Sequence, residues 1–485
     1  MFRSLYHTII YALITISAAN AQSLKVFTPE ELKEDASLMK NVILSMHPVI
    51  GIYDSKGKID TIFNDFINSL TTPLNEREFR IKVRVALNNM KCGHTDLLPS
   101  KTYLKQLKKN QIYAQKYYFF PHDSQLTPLT GLIPKRDTLL KSDMIIKKIN
   151  GHNADSMYQL IKKIINSDGY IDESKDYYAK IGYTNFFMHF LNYPDTVTYD
   201  YIQAGKAYKI KLPSFKCKSF PFFQLHLSKD STMKRYKKAK MNFKYLGPEE
   251  ESFYLQLTSF SNKRYTKAYR KIFKGLKKNN VANLVIDLRD NGGGSVFNSY
   301  ELLKYLIPSE ANQTSYTLIK RYPYKKHTKG GLLFKITRLY FGLIGKHKKN
   351  GDTLFYTLKI KPKKKWHYEN KIYVLINGGS FSASCLVGAY LKERKDVTFI
   401  GQETGGTLEG SNAIITPYYT MPNTKTKLRI PTFRLMHDPI AKPIIGRGII
   451  PDIPIKYSIE DYRKHRDLEM RKVLELLSLS KVRWN

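Results

Sequence analysis

The 485-residue sequence predicts an α/β fold built around a mostly parallel, buried sheet. Its length is sufficient for roughly two to four domains. Its composition, 42% hydrophobic and 25% charged, is typical of a globular protein rather than a disordered one. From about residue 250, short apolar runs alternate with segments whose apolar residues recur at helical spacing, which is the pattern of parallel strands joined by helices.

The first residues predict a secretory signal peptide over 1–21. Arg3 gives a positive start, an apolar run follows, and the triplet A-N-A ending at Ala21 is a cleavage motif. The apolar run is too short to span a membrane, and no later run reaches the roughly 18 apolar residues that a span needs. We therefore expect a mature chain that begins at Gln22 and is periplasmic or secreted.

Residues 22–115 predict an N-terminal helical domain. Thr28 is a suitable N-cap and Pro29 a suitable first helical residue for the segment that follows. Two further segments, "IDTIFNDFINSL" and "NEREFRIKVRVALNNM", keep apolar residues at helical spacing, and Gly93 comes shortly after the second. This pattern indicates packed helices that end in the loop "KCGHTDL".

Residues 116–215 predict short strands and one β-turn-α unit. Asp143 to Ile149 has the pattern of a strand, Asn150-Gly151 that of a tight turn, and Asn153 to Ile165 that of an amphipathic helix. The unit resembles the core of a PDZ domain, and such domains bind extended peptide ends by adding a strand to a sheet edge. A generic β-turn-α unit is the alternative.

Residues 216–457 contain the alternating strands and helices, and 458–485 predict a closing helix with Ser458 and Asp461 at capping-box-like spacing. A segment from about 320 to 365, dense in Lys and Tyr, interrupts the pattern. It favours an inserted hairpin or lid. Its apolar stripe with basic flanks also fits contact with an anionic membrane surface.

The net charge of +39 indicates affinity for anionic surfaces but does not define the fold. No zinc-finger spacing, helix-turn-helix signal or aromatic RNA-binding motif is present, so no nucleic acid partner is expected. The cysteines lack metal-ligand spacing, and their odd number leaves at least one unpaired. We expect core-packed thiols at all three positions, Cys92, Cys217 and Cys385.

The sequence "GGSFSAS" follows the strand-like run "KIYVLIN" and precedes a helical segment. Free amide groups and the positive end of the helix dipole lie at a helix N-terminus. A serine there could attack a carbonyl whose developing oxyanion is held by those donors, each worth about 3 kcal/mol. The alternative is that the serines cap the helix, and the local sequence does not separate the two interpretations.

A nucleophilic serine needs a base, and His94 in "CGHTD" is the candidate because it follows a helix on a loop that can present it. An imidazole with the usual pKa near 6.5 can act as a base at neutral pH. His189 lies in an apolar run and is expected in the core. Other histidines lie in basic, exposed stretches: His327, His347, His367 and His465.

Six motifs occur in one order: "CGHTD", the PDZ-like unit, "NLVIDLRDNGGG", "SFSAS", "FIGQETGG" and "GRGIIPDIPI". Over residues 28 to 456 this order resembles the carboxyl-terminal processing, or tail-specific, serine protease family, in its tricorn-core-like branch. The resemblance implies a crotonase-like α/β core of repeated β-β-α units. It also implies a PDZ-like domain inserted ahead of that core, with no metal or cofactor.

The same resemblance assigns roles to residues of this chain. Ser382, the first serine of the Ser-Ala-Ser element, is the implied nucleophile, and His94 is the implied base. The implied oxyanion donors are the amide of Ala383 and that of Gly293 or Gly294. Cys385 lies where the family often has glutamate and matches no catalytic role.

The chain departs from the family pattern at two positions. Thr407 replaces the lysine base of the tail-specific branch, which favours His94 as the base. Ile445 lies where the tricorn-like branch has a glutamate. The acid that orients the histidine is therefore open among three residues; Glu403 is carried forward as the candidate, with the alternatives Glu409 and Asp438.

These observations predict an exported serine endopeptidase that acts on unstructured or C-terminal peptide segments of proteins. The alternative is a non-catalytic relative of the same fold that binds proteins or ligands, and the departures at Thr407 and Ile445 favour it.

Overall fold

The computed structural model describes residues 24–109, 112–115, 117–122, 125–129, 139–217, 232–236, 239–261, 265–318, 327–329, 336, 339–340, 343, 346–437 and 443–479. The predicted signal peptide, 1–21, lies outside these residues, as does Asp438. Among the helices described, none combines the length and apolar character needed to cross a bilayer.

The helices agree closely with the sequence patterns where those patterns were strongest. Thr28 caps the first helix in a capping box with Glu31, and the Asn153 side chain caps the helix of the β-turn-α unit. In chain order the helices are α1 (Pro29–Met46), α2 (Lys56–Asn68), α3 (Glu76–Asn88), α4 (Lys101–Lys109), α5 (Ala154–Ile164), α6 (Asp172–Phe190), α7 (Tyr265–Lys278), α8 (Val296–Leu303), α9 (Ala383–Lys392), α10 (Ile459–Arg463) and α11 (Leu468–Leu476).

The strands of the described residues are short and are paired in four sheets and two small ladders. They are β1 (Val26–Phe27), β2 (Leu74–Asn75), β3 (Asp96–Leu98), β4 (Ile112–Ala114), β5 (Phe119–His122), β6 (Gln125–Pro128), β7 (Ile145–Ile149), β8 (His152–Asn153), β9 (Thr196–Gln203), β10 (Lys206–Pro213), β11 (Phe215–Cys217), β12 (Lys234–Tyr236), β13 (Met241–Leu246), β14 (Ser252–Leu257), β15 (Asn283–Asp287), β16 (Ala311–Leu318), β17 (Thr328–Lys329), β18 (Lys346–Asn350), β19 (Thr353–Ile360), β20 (Lys371–Ile376), β21 (Val397–Gly401), β22 (Gly410–Ala413), β23 (Tyr418–Thr420), β24 (Lys427–Arg429), β25 (Phe433–Met436) and β26 (Ile453–Pro454).

The central sheet has the strand order β12-β13-β14-β15-β20-β21-β26 and is parallel from β14 to β26. Successive residues of its strands point to opposite faces. Leu284 and Ile286 pack with α7, α8 and α9 on one face, while Val285 and Leu375 pack with α11 on the other. Both faces are covered, which is why the strands are continuous apolar runs. The predicted mixed α/β fold is confirmed.

A second, antiparallel sheet has the order β10-β9-β7-β6-β5, with β8 paired to β7. Helices α5 and α6 pack against it around one apolar cluster. The sequence patterns predicted α5 but not α6 (Asp172–Phe190), because apolar and aromatic side chains surround that helix instead of forming one stripe. The first residues of α6 lie against the turn that follows β20.

Two further sheets are present, and one of them connects the helical N-terminal region to the core. One has the order β18-β19-β16-β25-β22, and the other has the order β17-β23-β24-β3. The second sheet pairs β3, which follows the loop of His94, with β24 of the core. In the described part of the basic segment 320–365, β18 and β19 form a hairpin, and β18 is exposed along its length.

The closing helix predicted over 458–485 is wrong as a single element. Ser458 and Asp461 do form a capping box, but it starts only the short helix α10. His465 has a left-handed φ of 49°, and Asp467 then caps α11 through the amide of Met470. The chain bends at this point because Asp467 also binds Arg289 of the core.

Candidate active site

Ser382 stands at the junction between β20 and α9, with φ 57° and ψ −115°. A residue other than glycine in such a conformation stores about 1–3 kcal/mol of strain. The surrounding turn holds it there, because the Phe381 amide donates to the Asn291 carbonyl at 3.0 Å and the Ser384 hydroxyl donates to the same carbonyl at 2.8 Å. The turn thus presents the Ser382 side chain away from the helix it begins.

The three serines of this turn have different partners. Ser380 Oγ donates to the Leu288 carbonyl at 2.7 Å, and Ser384 Oγ donates to Asn291. Ser382 makes no side-chain capping bond to its helix. Two of the serines therefore stabilise the turn, and the hydroxyl of the third is left to face other groups.

His94 lies in the loop between α3 and β3, and its Nε2 atom is 3.3 Å from Ser382 Oγ. Its ring stacks on Phe381 with 4.7 Å between ring centroids. Its carbonyl accepts a hydrogen bond from Arg429 Nε at 3.0 Å, which anchors the loop to β24. The structure therefore brings together the predicted serine and histidine, which are 288 positions apart in the chain.

The His94 ring is neutral at neutral pH. Burial lowers its pKa to about 3, and the nearby charge of Arg429 acts in the same direction. Its Nδ1 atom is buried and finds no hydrogen-bond partner among the described residues. A neutral imidazole can accept the Ser382 proton, but a low pKa makes it a weak base unless a negative charge stabilises the protonated ring.

The predicted oxyanion donors lie around the same turn. The Ala383 amide, at the first position of α9, donates to no described residue. Gly293 is pressed against this turn, since a Cβ there would lie 2.7 Å from the Ser382 Cβ atom. Its amide donates to Asn291 Oδ1 at 2.9 Å, and Gly294 packs against the backbone of Phe260.

The carboxylates weighed as the orienting acid have other partners. Glu403 binds the Arg447 guanidinium and accepts from the Gly448 amide at 2.7 Å. Glu409 Oε1 accepts from the Tyr53 hydroxyl at 2.7 Å. Neither is hydrogen-bonded to His94, so the structure does not join Glu403 to the predicted pair.

The structure also shows the surroundings of the three positions that depart from the family pattern. Thr407 is buried, and its hydroxyl donates to the Gly410 carbonyl. Ile445 is 51% exposed and therefore fills no buried catalytic position. Cys385 is buried beside Ser380, and all three cysteines are free of disulfides.

The sequence patterns did not predict that the loop between α5 and α6 lies against the loop of His94. It contains Asn166, Ser167, Asp168 and Gly169, and Asp168 accepts from the Gly93 amide at 2.7 Å. In the sequence this stretch, "NSDG", has the composition of an ordinary turn after a helix. Only the three-dimensional arrangement shows that its carboxyl group is buried beside the histidine loop.

A cleft of about 510 Å³ lies between α6 and the core and reaches the serine turn at Asn377, while Ser382 and His94 do not line it. The residues that line it include Glu173, Tyr177, Asp290, Asn377, Glu403 and Arg447. A second cavity, of about 440 Å³, opens between the antiparallel sheet, α5 and the core, and the two share Asp176, Gln402 and Tyr457. In the part of the chain that the structure describes, no group of side chains is arranged to hold a metal ion.

The fold, the buried turn and the serine–histidine contact indicate the class of serine peptidases. Residues 252–455 match the model of Peptidase family S41. The family resemblance predicted from the motifs is thereby confirmed.

The chain is also similar to individual proteins. It is 35% identical over 102 residues to the carboxy-terminal-processing protease of Bartonella bacilliformis, a match that spans 21% of this chain and 22% of that protein. It shares its fold with mature CPAF, with a TM-score of 0.62 at 14% identity over 93% of this chain and 97% of that one. The structure of mature CPAF complexed with lactacystin gives a TM-score of 0.62 at 12% identity, covering 93% and 98%.

Proposed function

We propose that this protein is an exported serine endopeptidase of the carboxyl-terminal processing type, with Ser382 as nucleophile and His94 as base. The observation that supports it most directly is the 3.3 Å contact between His94 Nε2 and Ser382 Oγ. The strained backbone of Ser382 adds to this support, since strain is concentrated at functional sites.

In this mechanism Ser382 Oγ attacks the carbonyl carbon of a peptide bond, and its proton passes to His94 Nε2. The carbonyl oxygen becomes an oxyanion that accepts from the Ala383 amide and the Gly293–Gly294 turn. Ala383 is the donor best supported, because the Gly293 amide is engaged with Asn291. The C–N bond then breaks as His94 returns the proton to the leaving amine, and water hydrolyses the acyl-enzyme with His94 again as base.

The antiparallel sheet with α5 and α6 supports a PDZ-like peptide-binding role. The cavity between this sheet and the core shares lining residues with the cleft that reaches the serine turn at Asn377. An unstructured or C-terminal peptide bound in the first would extend into the second. The alternation of strands and helices in the central sheet likewise supports the crotonase-like interpretation of the core.

A fluorophosphonate probe tests the nucleophile, because it reacts covalently with an activated serine. We expect labelling of the wild type, loss of labelling in Ser382→Ala, and slower labelling in His94→Ala. Ser384→Ala is the control in the same turn: it keeps the nucleophile and should remain labelled, at a reduced rate because it loses the bond to Asn291 that supports the turn. A folded wild-type protein that is not labelled would instead support the non-catalytic binding relative, which the lack of a partner at His94 Nδ1 also favours.

Export is tested separately by the N-terminal sequence of the protein recovered outside the cytoplasm, which we expect to begin at Gln22. Retention of residues 1–21 in the cell interior would contradict it.

A further inference from the structure

The geometry points to Asp168 as the carboxylate that positions His94 and balances the charge of its ring during the reaction. This inference rests on the proposed function. It assigns the position of the orienting acid to a residue outside the S41-matching segment, from the loop between α5 and α6.

The loop of Asp168 runs alongside the loop of His94 and is bonded to it at three points. The Gly169 amide donates to the Lys91 carbonyl at 3.0 Å, and the Gly93 amide donates to Asp168 Oδ1 at 2.7 Å. On the other side of the histidine, Asn166 Nδ2 donates to the Thr95 carbonyl at 2.6 Å. These bonds lie on both sides of His94 and join the two loops.

Each of the two side chains has one buried atom that lacks a partner among the described residues. These atoms are Nδ1 of the His94 ring and Oδ2 of Asp168. Leaving a buried donor or acceptor unpaired costs about 1–3 kcal/mol. A hydrogen bond from His94 Nδ1–H to Asp168 Oδ2, made directly or through one bridging water, would satisfy both atoms and fix the tautomer in which Nε2 accepts the serine proton.

Glu403 and Glu409, the other described acids weighed for this role, have partners elsewhere, although Glu409 Oε2 is also buried without a partner among the described residues. Glu403 is paired with Arg447, and Glu409 Oε1 accepts from Tyr53 and from the Gly446 amide. Asp168 forms no hydrogen bond with an arginine among the described residues. Its Oδ1 accepts from the amide of Gly93, the residue that precedes His94. Asp54 also contacts the histidine loop, but it is paired there with Lys91, whereas Asp168 binds the amide of the residue that precedes His94.

The groups around His94 and Asp168 predict how activity depends on pH. Burial raises the pKa of Asp168 to about 7; Glu409 acts in the same direction and Arg434 opposes it. The other groups that face one of the two side chains are Tyr53, Cys92, Cys385, His47 and Arg429. Because only the ionised carboxylate can balance a protonated His94, activity should rise with pH through about 7.

The test compares Asp168→Asn with Asp168→Ala and with the exposed control Asp195→Asn, using the rate of fluorophosphonate labelling between pH 5 and 9. Asparagine keeps an oxygen for the Gly93 amide but has no charge. We expect Asp168→Asn to slow labelling at least about a hundredfold and to abolish the rise near pH 7. The control should keep both the rate and the rise.

Several results would overturn the inference. If Asp168→Asn labels like the wild type with the same pH profile while Asp168→Ala is slow, the side chain only holds the loop. If Glu403→Gln shows the loss instead, the acid is Glu403. A thermal unfolding midpoint for each variant shows whether it is folded, and Asp168→Asn decides the matter if the alanine variant is not.

A second readout separates this inference from the proposed function. A hydrogen-bonded His94 Nδ1–H should give a downfield proton resonance in the wild type at pH 8, assigned by its loss in His94→Ala. We expect it to disappear in Asp168→Asn. Its persistence there would refute the role of Asp168, whereas an unlabelled wild type that shows the resonance would refute the peptidase proposal alone.

Discussion

Ser382 combines a buried side chain, a left-handed backbone and a position before the first turn of α9. A side chain that merely capped the helix would need an extended backbone, as at Thr28, Asn75 and Ser458. The backbone of Ser382 differs from all three, and its side chain makes no cap. At the scale of the residue, this conformation is what distinguishes a presented hydroxyl from a structural one.

The strain at Ser382 predicts a difference in stability between two inactive variants. Both Ser382→Gly and Ser382→Ala lack the hydroxyl, but only glycine adopts φ 57° and ψ −115° without strain. Relief of strain should exceed the entropy that glycine loses on folding, so we expect Ser382→Gly to be more stable by about 1 kcal/mol. Urea unfolding measures the difference. A glycine variant less stable than the alanine variant would show that the turn is not strained.

His47 allows a prediction about pH. It accepts from the Val49 amide at Nδ1 and contacts Thr95 Oγ1 through Nε2, and burial lowers its pKa to about 3. The unfolded chain therefore binds a proton at higher pH than the folded chain does. The stability contributed by the neutral ring is complete above about pH 6.5 and is lost as the pH falls toward 3.

We accordingly expect the stability of the wild type to fall more steeply below pH 6.5 than that of His47→Gln. Between pH 6.5 and 4 the advantage of the wild type should shrink by about 3 kcal/mol. The measurement is the free energy of unfolding in urea at each pH. His347→Gln, on the exposed strand β18, is the control and should follow the wild type. Parallel curves for His47→Gln would contradict the prediction.

At the scale of the element, prediction succeeded where a local signal marks a boundary. The N-caps Thr28 and Asn153 and the strand before "GGSFSAS" all have such signals, and the structure contains each of them. Helix α6 lacked a polar face and was missed. The closing helix was drawn too long, because the pairing of Asp467 with Arg289 cannot be read from its own segment.

The contact between α6 and the serine turn predicts the effect of a single methyl group. A Cβ at Gly378 would lie 2.4 Å from the Glu173 carbonyl oxygen, an atom of the helix backbone that cannot move alone. We expect Gly378→Ala to lower stability by about 1–3 kcal/mol. Because the displaced turn carries Ser382, labelling by the fluorophosphonate should also slow by about tenfold or more.

Gly292→Ala is the matched control for the stability measurement. It lies in the other glycine turn of the site, where an added Cβ would meet nothing within 4 Å. Its stability should stay within about 0.5 kcal/mol of the wild type. Equal losses in the two variants would mean that flexibility, and not the contact with α6, is what glycine supplies.

At the scale of the whole molecule, the candidate site is assembled from three distant parts of the chain. Motif order was enough to predict Ser382 and His94, because both stand in recognisable local sequences. The contact of Asp168 with the histidine loop was not predictable in this way, since Asp168 lies 75 positions from Gly93 in a plain turn and the two meet only in the folded chain. Glu403, chosen by its place in a motif, is instead paired with Arg447.

Arg289 joins the site to the C-terminal end of the fold. Its buried guanidinium binds Asp287, two residues away, and Asp467 and Glu469 at the start of α11, with nitrogen–oxygen distances of 2.7–3.0 Å. The next residues continue into the glycine turn, where the Asp290 amide donates to Asn377 Oδ1. One side chain thus fixes α11, the central sheet and the turn that supports Ser382.

Removing the Arg289 guanidinium should lower the free energy of unfolding of the whole fold. Arg289→Met leaves three buried carboxylates without their cation, and loss of one partner from such a group costs about 3–5 kcal/mol. Burial already raises the pKa of Glu469 to about 7, so protonation can relieve part of the repulsion at low pH. The loss of unfolding free energy, measured in urea, should therefore be larger at pH 8 than at pH 5.

Lys472→Met is the control. It removes only the surface pair with Glu475 and should lower the free energy of unfolding by less than about 1 kcal/mol. A loss that is the same at both pH values would show that Arg289 acts through packing and not through its charge.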